Sequence, residues 1–494
     1  VAKSVEELFK EVGLRPRPGQ LEVAEKLAWL IENEKKTLLS APVGWGKTHA
    51  VLAALVSTGS FPVLWLVRTL TLGARIKEDA DRWSLHTFTA AGRERACPLA
   101  QKLGDAVHDF CQFFRHRCPY ARLPPSPLPL VTSWEELVAR GTKESWCPYF
   151  AQELVDADIV VQSYWRRRRP ARVIIVDEAH NLLVPQEREY SVGQLAEAVY
   201  AAREHGASER LFRRLQELLS CVLYTSVGEV RLFLAQEELQ ELRHLYFKAL
   251  ERGDATRLKP LLDLARATAV YVEAERVFLY RPPLSLHVRP VVYISGTAPP
   301  EAGQFLGVEA ELRVPWTVKA RALIVEGLTT KFSEYSARMA EKYKRLLVRV
   351  SRQCKRVLVF AASERIARDL RSWVTYEEVI PPSGWEGILL LRARGRFNEG
   401  VNLPSECVVV AGAPYLPPEV GSKIAQVYKR AGHPDPVKAA IDMPMIIATL
   451  QCVGRAWRDP QKPPTVYLAD ERFARYSREL EEYMEIQTTS LDKL

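Results

Sequence analysis

Ala41-Pro-Val-Gly44-Trp45-Gly46-Lys47-Thr48 separates a short apolar run, Thr37 to Ser40, from a helix-like stretch, His49 to Val56. Glycines in such a loop let backbone N–H groups converge on one point, and the following helix adds positive potential there. This is a phosphate cradle. Lys47 would reach the β and γ phosphates of a nucleoside triphosphate, and Thr48 would hold Mg2+. The loop begins with Ala instead of Gly, and the bulk of Trp45 must point outward or stack on a neighbour. A second apolar run, Val173 to Val176, ends in Asp177-Glu178. Asp177 is placed to bind Mg2+ through water, and Glu178 to act as the base that orients the attacking water. An acid pair after a strand is often only solvated; the cradle earlier in the chain makes nucleotide hydrolysis the better reading. Gln451-Cys-Val-Gly-Arg455-Ala-Trp-Arg458 puts Arg455 and Arg458 three apart on one helix face. Either could stabilise charge on the transferring phosphoryl group. Alone, the two would read as a basic last turn favoured by the helix dipole.

Cys97, Cys111, Cys118 and Cys147 fall within 51 residues. Four thiolates can hold a 4Fe-4S cluster or a structural Zn2+. The spacing is looser than paired C-x-x-C knuckles, which favours iron without deciding it. His108 and His116 lie among them and read as surface or supporting residues. Cys221, Cys354, Cys407 and Cys452 are scattered and read as core residues.

Apolar runs alternating with helical patterns along much of the chain indicate parallel α/β sheets. The rhythm breaks over residues 82–150, where cysteines, prolines and aromatics replace strands; this reads as a metal-held insertion. From Gln186 to Arg281 the pattern is helical and reads as a second insertion. Pro290 to Thr297 returns to a strand. Beyond about residue 315 a second α/β unit follows, with strands at Arg356–Phe360, Gly387–Leu391, Glu406–Val410 and Thr465–Leu468. Arg166 to Arg169 reads as a solvated loop, with a phosphate contact as the alternative.

In this order, the motifs resemble the superfamily-two helicases, specifically the XPD family of iron–sulfur DNA helicases. Arg17-Pro-Gly-Gln20 resembles the adenine-contacting motif, and Ala41 to Thr48 the phosphate loop. Val67-Arg68-Thr69 resembles motif Ia, Asp177-Glu-Ala-His-Asn-Leu182 motif II, and Ser295-Gly-Thr297 motif III. Gly395 to Gly400 resembles motif V and Gln451 to Arg458 motif VI. Asn402 stands where the family usually has an acid. The resemblance spans about residues 15–470.

It implies two RecA-like motor domains clasping ATP and Mg2+. The first would be built from residues 1–81, 151–185 and 286–314, and the second from 315–494. An iron–sulfur insertion at 82–150 and a helical arch-like insertion at 186–285 would interrupt the first. It implies a 4Fe-4S cluster on the four cysteines, and ATP-dependent 5′-to-3′ translocation on single-stranded or forked DNA. DNA repair, with repair-protein partners, is the expected setting. Arg17, Gln20, Gly44, Gly46 and Gly400 would contact nucleotide. Arg68, Thr69 and Tyr164 would contact DNA, Tyr164 by stacking on an unpaired base, with core packing an equal alternative for it. The competing reading is a single-strand motor that displaces proteins or remodels RNA without processive unwinding.

The chain has 494 residues, enough for several domains, and 47% hydrophobic residues with 26% charged ones exclude a disordered or collagenous class. A net charge of +9 permits a polyanionic partner. Four asparagines and four methionines against 32 prolines suggest a heat-adapted source. No apolar run is long enough to cross a bilayer, and the charged N-terminus has no signal-peptide core. The expectation is a cytoplasmic monomer with reduced thiols.

Overall fold

The computed structural model describes residues 3–42, 44–125, 128, 133–231, 234–273, 275–284, 289–371, 384–394, 403–457 and 461–494. A seven-stranded, all-parallel sheet organises the first domain. From edge to edge its strands are Ala310–Arg313, Lys36–Ser40, Val291–Ser295, Val173–Val176, Val63–Val67, Ile159–Ser163 and Thr87–Ala90. Strands buried on both faces need apolar side chains on both. The pleat accordingly sends Leu39, Trp65 and Ile175 into one core and Leu38, Leu66 and Val176 into the other. Lys36–Ser40 and the central Val173–Val176 flank Val291–Ser295 in parallel, so the phosphate loop and the acid pair emerge at the same, C-terminal end of the strands.

The second domain is built on a six-stranded parallel sheet. Its order is Gly387–Arg392, Arg356–Ala361, Cys407–Ala411, Thr465–Ala469, Ala320–Glu326 and Met484–Ser490. The first four match the predicted strands. Ala320–Glu326 holds a buried apolar run at residues 322–325 that the predicted strands omit, whereas Met484–Ser490, with Glu485 and Gln487 and a polar second half, has none. The helix Met443–Ala456 belongs to this domain, yet its Ile447 packs into the first domain's core.

Two expected boundaries change. Thr87–Ala90 pairs with Ile159–Ser163, so residues 82–90 complete the first sheet and the cysteine-rich insertion starts after Ala90. A four-residue edge strand containing two threonines is too short to register as an apolar run. The second insertion is not purely helical. A four-stranded antiparallel sheet, in the order Gln186–Ser191, Arg276–Arg281, Ala269–Glu273 and Val227–Glu229, sits with the helices Val192–Glu204, Glu209–Tyr224 and Gln236–Arg252. Gln186–Ser191 is almost wholly polar and Ala269–Glu273 and Arg276–Arg281 are short apolar runs, so none carries an alternating period, and the dense helical sequence between them dominates.

The two insertions share one core: Leu103, Val107 and Phe110 from the first pack among Leu211, Leu215 and Tyr246 from the second. Of the scattered cysteines, Cys452 is buried and Cys407 lies in the second domain's core with Cys354 packed against it, as expected, but these two form a disulfide with Cα atoms 6.1 Å apart where reduced thiols are the expectation, and Cys221 is exposed. Thus only Cys452 of the four is a free core thiol.

Candidate nucleotide site, cysteine cavity and nucleic-acid groove

Gly44 and Gly46 have φ of 79° and 92°, a region where a side chain would be strained, so glycine is required at both bends of the phosphate loop. The helix Lys47–Thr58 starts directly after them, with Thr48 in its first turn. Lys47 Nζ donates to the carbonyls of Ala41, at 2.7 Å, and Pro42, at 3.1 Å. Burial holds the Lys47 amine below its usual range, against the upward pull of Glu178 and Asp177. Asp177 is pushed up to about 6, first by burial and then by the neighbouring Glu178 charge, with Lys47 opposing. Asp177 Oδ1 accepts the Glu178 N–H at 2.9 Å. Glu178 has a left-handed backbone, φ 49°, which turns the chain sharply at the strand end.

His180 joins the two domains. Its Nδ1 lies 2.8 Å from Ser295 Oγ, 3.2 Å from Thr297 Oγ1 and 3.4 Å from Glu178 Oε2. On the other side Gln451 Nε2, from the second domain's helix, lies 2.9 Å from His180 Nε2 and 3.4 Å from Asn181 Oδ1. An amide nitrogen donates, so Nε2 accepts and the neutral ring carries its proton on Nδ1, facing the hydroxyls. Arg455 lies one turn after Gln451 on the same helix, close enough for its charge to help depress the His180 pKa. The structure thus assembles Lys47, Asp177, Glu178, Gln451 and Arg455. Arg458, Gly400 and Asn402 lie outside the described residues.

Gln20 does not reach outward to a base. It is buried; its Nε2 donates to the Gly46 carbonyl at 2.9 Å and its Oε1 accepts the Arg17 N–H at 2.8 Å. Arg17 itself is exposed. Arg68 is exposed too, but its Nη1 donates to Asn181 Oδ1 at 2.9 Å, so it braces motif II; Thr69 is half-buried beside it. Tyr164 is a correction. It is buried, and its hydroxyl donates to the Asp177 carbonyl and, at 3.2 Å, to that of Glu178, so it supports the acid pair from beneath and cannot stack on a base. Its neighbour Trp165 is the exposed aromatic, at 54%. Arg166 is a second correction. It is buried, pairs with Glu153 at 2.7 Å and donates to the carbonyls of Ala91 and Tyr149. Arg169 donates to the carbonyls of Gln152 and Val155. A run of four arginines looks solvated in sequence; here it ties the cysteine insertion to the sheet.

Cys97, Cys111, Cys118 and Cys147 line one enclosed cavity, walled by Phe110, Tyr149 and Phe150 and by the stems of Arg93 and Arg115. Burial raises the thiols of Cys97, to about 11, Cys118 and Cys147, and the other cysteines add to each shift. Among the described residues no group of three or more His, Cys, Asp or Glu is arranged to hold a metal ion. Four convergent thiols in an apolar chamber nevertheless form a donor set that suits a thiolate-bound cluster, with Arg93 and Arg115 available to balance its charge. Arg115 stacks on Phe150, with Cζ 4.0 Å from the ring centroid, and Arg93 on Tyr149 at 4.2 Å, closing the chamber.

A groove of about 820 Å3 separates the four-stranded insertion sheet from the second domain. Arg365, Arg392, Arg394 and Arg472 line it together with Tyr271, Phe332 and Tyr415. Phe332 is 72% exposed, and Arg365 lies 5.5 Å from its ring. Arg392 is paired with Glu189 and Glu364 and Arg472 with Asp470, so it is the Arg365 cation beside the exposed Phe332 ring, with Tyr271 and Tyr415 half-buried nearby, that suits unpaired nucleic acid. No local motif marks these residues: they come from six separated segments and meet only in the fold.

Two family models match. DEAD_2 covers residues 87–193, and Helicase C-terminal domain covers 327–487. The ATP-dependent DNA helicase XPD of Sulfolobus acidocaldarius is 24% identical over 538 residues, covering 93% of this chain and 96% of that protein. A solved XPD helicase structure superposes with a TM-score of 0.70 at 21% identity, covering 96% of this chain and all of that one. The S. tokodaii Xpd4 structure gives 0.60 at 18% identity, covering 96% and 100%. Together with the two-domain site, the two helicase family models and the likeness to XPD helicases over nearly the whole chain support an XPD-type, ATP-hydrolysing DNA helicase.

Proposed function

We propose that this protein is an ATP-driven motor that moves 5′ to 3′ along single-stranded DNA and separates duplexes, in the service of DNA repair. The observation that carries the reading is the Gln451–His180 hydrogen bond, 2.9 Å long, between the second domain's helix and the strand end that bears Asp177 and Glu178. In this reading the glycine loop and Lys47 grip the phosphates. Lys47 exchanges the carbonyls of Ala41 and Pro42 for phosphate oxygens. Thr48 and Asp177 hold Mg2+, Glu178 takes a proton from the attacking water, and Arg455, with Arg458, stabilises the charge that builds up. ATP then binds both domains, and loss of its γ-phosphate weakens their union. His180, touching Ser295, Thr297 and Gln451, registers that change. The groove between insertion sheet and second domain is the track, where rings grip bases without reading sequence.

Cys97, Cys111, Cys118 and Cys147 would hold a 4Fe-4S cluster, which would act as a staple for a subdomain with little core of its own. The XPD resemblance supports polarity and pathway. The test is a pair of forked duplexes, one with only a 5′ single-stranded tail and one with only a 3′ tail. ATP-dependent separation of the first is expected. Separation of the second alone would reverse the polarity. Strong ATPase on single strands with neither fork opened would favour a translocase that displaces proteins or remodels RNA.

A further inference from the structure

Trp45 has no part in that scheme, although it sits within the phosphate loop. Its indole N–H donates to the Pro18 carbonyl at 3.1 Å, and its ring packs into the first domain's core. Gln20, from the same turn as Pro18, donates to the Gly46 carbonyl at 2.9 Å. It lies so close that a Cβ on Gly46 would stand 2.6 Å from Gln20 Nε2. Two side chains therefore cross between loop and turn in opposite directions: Trp45 from loop to turn, Gln20 from turn to loop. The turn is a stiff anchor. Proline fixes φ at Pro16 and Pro18, and the Arg17 N–H to Gln20 Oε1 bond, 2.8 Å, closes it. The loop is the opposite. Its bends rest on Gly44 and Gly46, the residues that have the most backbone freedom to lose when ordered.

We propose that Trp45 is a positioning residue for nucleotide: with Gln20 it clasps the phosphate loop to the Pro16–Gln20 turn and holds the loop open before phosphate arrives. Ordering completed before binding is not charged against binding. The clasp acts on the loop and not on the reacting atoms, so it bears on affinity. The proposal rests on the loop being the ATP site.

The test measures the KM and kcat of the DNA-stimulated ATPase, the Kd for ATP and for inorganic tripolyphosphate, and the thermal midpoint. Trp45→Phe keeps a ring in the core and removes the donor; Gln20→Leu removes the other bond and guards against a folding defect in the first. Each variant is expected to raise KM and both dissociation constants by about 3- to 10-fold, the effect of one hydrogen bond. In each, kcat should stay within about twofold. Unchanged affinities in a well-folded variant, or a loss of thermal stability with tripolyphosphate binding intact, would overturn the clasp and leave Trp45 a core residue. If the unaltered protein bound neither ATP nor tripolyphosphate, the nucleotide reading itself would fall.

Discussion

His180 is buried, and burial together with the charges of Arg68, Arg455 and Lys47 lowers its pKa to about 3 from the usual 6.5. A protonated ring would lose the lone pair on Nε2 that accepts from Gln451, so the same contact that links the domains requires neutrality. Between pH 6.5 and 3 the unfolded chain binds a proton here that the folded chain does not. Stability is therefore fully present above about 6.5 and falls as pH drops through that window, by about 1.4 kcal/mol per unit for a single group. His180→Asn should remove this slope. Urea denaturation at pH 7.5 and pH 5.0 should show the parent losing about 2 kcal/mol more than the variant on acidification. Equal losses would mean that another group sets the acid limit.

The two insertions are joined by buried charge as well as by apolar packing. Lys259 Nζ lies 2.9 Å from Asp109 Oδ2 and 3.1 Å from Asp263 Oδ1, and the Tyr246 hydroxyl donates to Asp109 at 2.6 Å. Asp109 comes from the cysteine-rich insertion and the other three from the mixed one. Asp109→Ala leaves a buried ammonium and a buried hydroxyl short of a partner, and should cost about 3 kcal/mol. Limited proteolysis should then open both insertions together; cleavage confined to residues 91–150 would show that they unfold independently. Cys118→Ser tests the metal: iron content and the visible absorption of anaerobically purified protein should fall, and unchanged iron would remove Cys118 from the ligand set. The sequence made the catalytic strands and the phosphate loop legible because their chemistry is local: a glycine bend, a buried run, an acid at its end. It did not reveal Thr87–Ala90, whose threonines hide an edge strand, or the antiparallel sheet, whose short strands carry no alternating period and lie among long helical stretches. Tyr164 and Arg166 were misread for a related reason. Each satisfies backbone carbonyls brought near by the fold, Tyr164 beneath Asp177 and Arg166 at Ala91 and Tyr149, and adjacent residues carry no sign of that.

Across the whole molecule, the nucleotide site and the groove are built from different surfaces of the second domain, and the helix Met443–Ala456 spans them. At its start Asp442, which lines the groove, accepts from the Tyr476 hydroxyl at 2.6 Å, and Tyr476 in turn accepts from the Tyr415 hydroxyl at 2.7 Å. Toward its end Gln451 meets His180. In the proposed reading a DNA strand lying against Tyr415 and a phosphate leaving Lys47 would bear on the same helix. Coupling through a rigid element fails when its contact with either site is removed, whereas binding at each site survives. Gln451→Ala cuts the contact at the nucleotide end only. It should bind single-stranded DNA within about twofold of the parent and should bind ATP, yet lose most of the stimulation of ATPase by DNA, a drop of about 10-fold or more if the bond is worth about 1.4 kcal/mol in the closed state. Titrating ATPase against single-stranded DNA, alongside DNA affinity by anisotropy, separates the outcomes. A parallel loss of DNA affinity would make Gln451 part of the track; full stimulation would show that the domains communicate by another route, leaving the His180 contact to stability alone.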